Sequence, residues 1–183
     1  QWRLENSNAT LRTAGIECML DLASGAHEVT LQFSQGTSPV ALWQFRQLTG
    51  LPLVEAYVRQ ADLVASYGPD PSFPFTTDIY WTLLDPVLYA NTRLVLQVVV
   101  SVHTDRLDTH PELDAITTSA HPDIELVPCD TGSAIRTPLN SDLHLVEFAT
   151  REDTPECELI GSSHSIERRL FGHFLEKGVI RRA

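Results

Sequence analysis

Two stretches of this chain collect side chains whose types and spacing could do chemistry. The first runs from His103 to His121 and carries His103, Asp105, Asp108, His110, Glu112, Asp114 and His121. Neutral imidazoles and carboxylates together are the ligand set that suits zinc or another divalent metal, and strand alternation puts His103 and Asp105 on one face. A metal held by His103, Asp105 and His110 would lower the pKa of a bound water and so support metal-assisted hydrolysis. The spacing H-x-D-x2-D-x-H matches no motif of established geometry, however, and a polar loop leaving a buried strand explains the same residues. His144 and Glu147 sit on opposite faces of their strand, so either could add a ligand only by folding toward this loop.

The second constellation mixes aromatic rings with charge: Tyr57, Arg59, Asp62 and Tyr67 in one segment, Asp78, Tyr80, Trp81 and Asp85 in another, and Tyr89 with Arg93 beyond. Aromatic faces stack on the apolar side of a pyranose, while carboxylates and Arg reach vicinal hydroxyls. On this reading Tyr57, Arg59, Asp78, Tyr80 and Trp81 hold a carbohydrate-like ligand, and no cofactor is needed. Glycoside hydrolysis would further require two carboxylates at a defined separation, which sequence spacing does not supply. Ordinary strand and turn residues are the competing explanation, since Trp and Tyr favour strands and Asp favours strand ends.

Other catalytic signatures are missing. There is no GxSxG elbow and no glycine-rich phosphate loop. Asp130-Thr131-Gly132 stands alone, without a second copy or the apolar strand expected after it. Cys18, Cys129 and Cys157 lie far apart and form no CxxC pair, so they read as buried thiols. The sequon Asn8-Ala9-Thr10 has meaning only on a secretory route.

The elements that must position these residues are mostly strands. Leu11–Leu22 alternates as one half-buried strand and forms a hairpin with the segment carrying Val29, Leu31 and Phe33 across Ser24-Gly25. Ser38-Pro39 through Leu48 fits a short helix as well as a strand. Val54–Tyr67 reads as one long or bulged strand ending in Gly68-Pro69-Asp70-Pro71, and Asp78–Leu84 as another with Ile79, Trp81 and Leu83 on one face. Ile124–Val127, Leu143–Phe148 and Glu158–Ile160 are shorter strands. Leu94–Val102 is the strongest strand signal, a nearly continuous β-branched run expected at the centre of a sheet with both faces covered. Ser165, Glu167, Ile166, Leu170, Phe174 and Gly178 have the spacing and caps of a C-terminal amphipathic helix, packed on the sheet or on a partner.

These elements predict a mainly β fold, an antiparallel sandwich or supersandwich-like sheet with a C-terminal helix, with α+β as the alternative. Such a pattern is compatible with carbohydrate-binding sandwiches, including the supersandwich of mutarotase-like proteins, as an analogy of fold without a motif. At 183 residues with 43% apolar content, the chain reads as a single β-rich domain over 1–183. A fragment of a longer protein is the alternative, because the sequence begins at Gln1 and Val179-Ile180-Arg181 could open a further strand. Thirteen basic against 24 acidic residues give a net charge of −11, which repels polyphosphate, so nucleic acid is not an expected partner. No apolar run is long enough to span a membrane as a helix. A soluble protein follows, with the cytoplasm slightly favoured, a small-molecule or carbohydrate ligand, and a homo-oligomer as an open option. The functional readings are thus a carbohydrate-like ligand-binding module, a hydrolase using a divalent metal such as zinc in the His103 to His121 loop, or a structural or interaction protein.

Overall fold

The structure, a computed structural model, describes residues 1–13, 16–23, 29–33, 40–84, 94–119, 123–139, 143–150, 152, 156–159 and 164–182. Among them every strand pairing is antiparallel, and the helical content is one 3-10 turn at Arg46–Leu48. None of the described helical segments is long and apolar enough to cross a membrane.

Three sheets share the chain. The first begins as a meander of β1 (Trp2–Glu5), β2 (Asn8–Thr13), β3 (Ile16–Asp21), β4 (Val29–Phe33) and β5 (Val40–Phe45), and continues through β10 (Glu112–Ser119), β15 (Ser165–Phe171) and β14 (Glu156–Leu159). The second has five strands in the order β16 (Arg181–Arg182), β9 (Val95–His103), β8 (Thr76–Leu84), β7 (Asp62–Tyr67) and β6 (Leu53–Arg59). The third is a meander of β11 (Glu125–Cys129), β12 (Gly132–Pro138) and β13 (His144–Thr150).

Period-2 alternation builds the core. Ala9 and Leu11 on β2 and Ile16, Cys18 and Leu20 on β3 turn inward, while Arg12 and Glu17 meet outside at 2.6 Å. One apolar cluster joins side chains of the eight-stranded sheet, such as Leu11, Leu42 and Phe45, to Leu63, Ile79, Trp81 and Val100 of the five-stranded sheet. Two hydrogen bonds cross the same space: the Trp2 indole N–H donates to the Trp81 carbonyl at 3.1 Å, and the Tyr67 hydroxyl to the Leu22 carbonyl at 3.3 Å. Burial and then Asp21 push the Tyr67 hydroxyl pKa upward, and burial pushes the Cys18 thiol up to about 12, so neither ionises at neutral pH. A smaller cluster of Ile124, Ile135 and Ile166 ties the three-stranded sheet to β15.

Several expectations are corrected. The segment expected as a C-terminal helix is β15 up to Phe171, followed by a connection without helix. Its inward positions are Ile166, Arg168 and Leu170, all buried, so a charged residue on the core face masked the alternation and left Ile166, Leu170 and Phe174 to mimic a helical stripe. Phe171 (φ 70°) and Gly172 (φ 84°), two consecutive left-handed residues, then end the strand. Downstream, Leu175 N–H bonds to the Thr109 carbonyl and Gly178 N–H to the Thr104 carbonyl, which leads the chain to β16 at the edge of β9.

Of the Ser38–Leu48 segment, which fitted helix and strand alike, Ser38 and Pro39 lie outside the described residues, Val40–Phe45 is a strand and Arg46–Leu48 one 3-10 turn. Residues 11–22 divide into β2 and β3, and Val54–Tyr67 into β6 and β7, which turn at Gln60-Ala61 with Gln60 in the left-handed region (φ 57°). The stretch His103 to His121 contains β10 where a loop was expected; its inward Thr117 and Ser119 are polar and concealed the period. Finally, among the described residues β9 is next to the edge of its sheet: β8 pairs with it along Val95–His103, and β16 pairs with Ser101 and Val102 on the other side.

Candidate functional site

The register of the five-stranded sheet sorts the aromatic and charged residues by face, because directly opposed residues share a side. One row runs Tyr57, Val64, Tyr80, Val99; the next runs Arg59, Asp62, Thr82, Gln97; the row on the other side runs Glu55, Ser66, Asp78, Ser101, Arg182. Tyr57, Arg59, Asp78 and Tyr80 therefore lie on one outer face. Trp81 does not: it points with Leu63 and Ile79 into the core and is fully buried. Proximity in sequence had joined Tyr80 and Trp81, but a period of two separates neighbours onto opposite faces.

Val64 lies between the two tyrosines and is only 2% exposed, so neighbouring side chains close over it. Adjacent strands are about 4.8 Å apart, so the Tyr57 and Tyr80 positions stand roughly 10 Å from one another across it. Charged groups flank the two tyrosines. Arg59 reaches Asp62 at 3.6 Å, and the Thr82 hydroxyl donates to Asp62 at 2.9 Å, which holds that carboxylate in place. The Tyr80 hydroxyl feels these groups: burial and then Asp78 raise its pKa, Arg182 opposes them, Tyr57 adds to the rise and Arg59 to the opposition. Arg182, Val64, Asp62, Thr82 and Gln97 complete the face. Strand pairing across four segments brings them there; Asp62 stood in the sequence constellation, and no local spacing signals the other four.

The proposed metal ligands are not gathered in this way. His103 is half-buried at the end of β9 opposite Thr76, Asp105 and His110 are exposed, and the His110 ring meets Phe174 edge-on with centroids 5.6 Å apart. Among the described residues no three His, Cys, Asp or Glu side chains come close enough to hold a metal ion. Asp114 instead lies on β10 and is almost buried, accepting from Arg46 at 3.1 Å, Gln47 at 2.8 Å and Arg169 at 3.1 Å. Asp85, Tyr89, Arg93 and His121 lie outside the described residues.

A third group escaped the sequence reading. Glu147 on β13 and Arg168 on β15 are both buried, with Thr117 of β10 beside them. The Thr117 hydroxyl donates to Glu147 Oε2 at 2.9 Å, and Arg168 Nη2 donates to the Glu147 carbonyl at 3.1 Å. Glu147 Oε1 and Arg168 Nε have no hydrogen-bond partner among the described residues. Burial raises the Glu147 pKa, and Arg168, Thr117 and the Trp43 indole pull it back only in part. Trp43 is available because β5 bulges: Ala41 and Gln44 pair with Thr118 and Ile116, one residue more on β5 than on β10, and Trp43 takes φ 52° at the bulge. Three elements of the eight-stranded sheet thus converge on one carboxylate of the three-stranded sheet. No protein-family model, curated protein or solved structure matches the chain.

Proposed function

We propose that the protein is a ligand-binding module whose outer face on β6 to β9 takes a carbohydrate-like ligand through Tyr57, Arg59, Asp78 and Tyr80, with Arg182 at the rim. The observation that carries this reading is the row Tyr57, Val64, Tyr80, which places two solvent-reachable tyrosines on one face of the sheet with charged hydrogen-bonding groups in the rows on both sides. A pyranose has the matching shape, with C–H faces for the rings and hydroxyls at its edge for Asp78, Arg59 and Arg182. Trp81 contributes by holding the sheet from behind, not by contact. The eight- and five-stranded sheets are read as a sandwich, because one apolar cluster takes side chains from both.

A glycan array followed by calorimetry tests the proposal. Wild type is expected to bind a defined set of sugars, and Tyr80→Ala and Arg59→Ala to weaken binding at least about tenfold, the equivalent of 1.4 kcal/mol, while remaining folded. Absence of binding at millimolar sugar, or binding indifferent to both substitutions, would overturn it.

A further inference from the structure

Buried polar atoms without a partner gather in one contact. Six such side-chain atoms occur among the described residues, and four of them, Ser133 Oγ, Thr137 Oγ1, Glu147 Oε1 and Arg168 Nε, lie where β12 and β13 face β15. The register shows how. Ile135 opposes Glu147, and alternation puts Ser133 and Thr137 on the same face of β12 as Ile135, one on each side of it. Ile135 packs with Ile166, which shares the inward face of β15 with Arg168. Glu147 and Arg168 carry opposite charges, yet their charged ends do not meet. Arg168 directs Nη2 at the Glu147 main-chain carbonyl, and the Thr117 hydroxyl takes Glu147 Oε2. An acceptor, Oε1, and a donor, Nε, are left on side chains only 4% and 5% exposed. A dry contact with both of them unmet is strongly unfavourable.

We infer that Glu147 and Arg168 form an internal hydration site, in which a water molecule accepts from Arg168 Nε and donates to Glu147 Oε1, so that the buried charge pair is solvent-separated. The chemistry of the two atoms selects the occupant. It has to accept and donate at once, and it has to be neutral, because the two side chains already balance each other in charge. It also has to be small, because Ile124, Ile135 and Ile166 close the contact and are at most 7% exposed. Water meets all three demands, and a buried water takes two to four polar partners of this kind. Ser133 and Thr137 stand diagonal to Glu147 across the two strands and supply further hydroxyls for it or for a second water. The site is separate from the Tyr57 and Tyr80 face, which belongs to the five-stranded sheet, and stands whether or not that face binds sugar.

Oxygen-17 relaxation dispersion, which counts waters held inside a protein for longer than the molecule takes to tumble, tests the site together with a high-resolution crystal structure of the wild type. The crystal is expected to show a solvent peak within hydrogen-bond distance, about 2.7–3.2 Å, of both Arg168 Nε and Glu147 Oε1. In solution the wild type is expected to hold at least one long-lived internal water more than the double variant Glu147→Leu, Arg168→Met. That variant removes donor and acceptor together and leaves no orphaned charge, so it is expected to stay folded. A guanidinium in direct contact with Glu147 Oε1, or no solvent peak between the two atoms, overturns the inference even if the double variant fails to fold. A folded double variant that holds as many internal waters as the wild type does so equally.

Discussion

β8 and β13 are built on the same alternation with opposite contents. β8 turns Thr77, Ile79 and Trp81 inward, each fully buried, and leaves Asp78, Tyr80 and Thr82 half-exposed. β13 turns Glu147 inward and leaves Val146 62% and Phe148 54% exposed. A shift of one residue would give β13 the usual arrangement, since a slip carries every side chain to the other face. Gly132 suits the register as it stands. It pairs with Thr150, and a Cβ there would lie 2.1 Å from the Ala149 carbonyl oxygen, so the close approach of β12 and β13 in this register requires glycine. The inverted strand is then held by polar partners on the neighbouring sheet, Arg168 and Thr117, where β8 is held by packing. An inward position is thus defined by backbone pairing, and hydrophobicity follows it only when no charged partner waits on the other side.

The largest expected effect tests the packed strand. Trp81→Ala removes a fully buried indole from the main cluster and is expected to cost about 3–5 kcal/mol, a large part of the stability of a domain. Trp81→Phe should cost much less, because the Trp81 indole N–H has no acceptor among the described residues and its removal leaves one fewer unmet donor. Urea midpoints of the two variants provide the measurement. A Trp81→Ala protein as stable as wild type would mean that β8 faces the other way and that Tyr80 is the core residue.

The next effect belongs to the inverted strand and depends on pH. Glu147 has its folded pKa raised above the unfolded value near 4.5, chiefly by burial. Its contribution is therefore most favourable below the unfolded pKa and is lost as pH rises through the folded pKa, with a slope of at most about 1.4 kcal/mol per pH unit for one proton. Glu147→Gln keeps the size and removes the titration. The stability of wild type relative to this variant should fall as pH is raised from about 4.5 toward neutrality. A difference that stays flat across that window would show Glu147 fully compensated by Arg168, and the contrast with β8 would lose its energetic meaning.

What the residues disclosed before the structure divides along the same line. Where apolar side chains occupy the inward positions, as on β3 and β8, the alternation located the strand and its buried face. Where the inward positions hold Arg168, Thr117 or Ser119, it did not, and β15 resembled a helix while β10 resembled a loop; β13 was found as the strand Leu143–Phe148, but Glu147 hid which of its faces is buried. The candidate site was legible to a similar degree. Tyr57, Arg59, Asp78 and Tyr80 were identified by residue type and do share a face, yet Trp81 was placed with them although its neighbour's orientation assigns it to the other side. Arg182 and Val64 could not have been found, because their place beside Tyr80 is fixed by long-range pairing between β16 and β9 and between β7 and β8. The apolar run of β9 was recognised as a strand, but composition could not reveal which strands flank it, β8 along its length and β16 at Ser101 and Val102.

The smallest expected effect is the sharpest check on the inverted register. Phe148 is an aromatic residue in a strand, and from sequence alone its truncation would be counted among the costly ones. In this structure it shares the outer face of β13 with Val146, across from Ala134 of β12. Phe148→Thr replaces the ring by a β-branched side chain suited to a strand and gives up little buried area, so its stability should lie within about 0.5 kcal/mol of wild type. The neighbouring Glu147→Leu provides the internal contrast, because it removes the carboxylate that receives the Thr117 hydroxyl and stands beside Arg168, leaving a buried guanidinium without its opposite charge. Equilibrium urea unfolding of the pair should show the exposed aromatic as dispensable and the buried acid as needed. The opposite ranking would mean that β13 pairs with β12 one residue out of the register argued above, with Phe148 in the core and Glu147 in water.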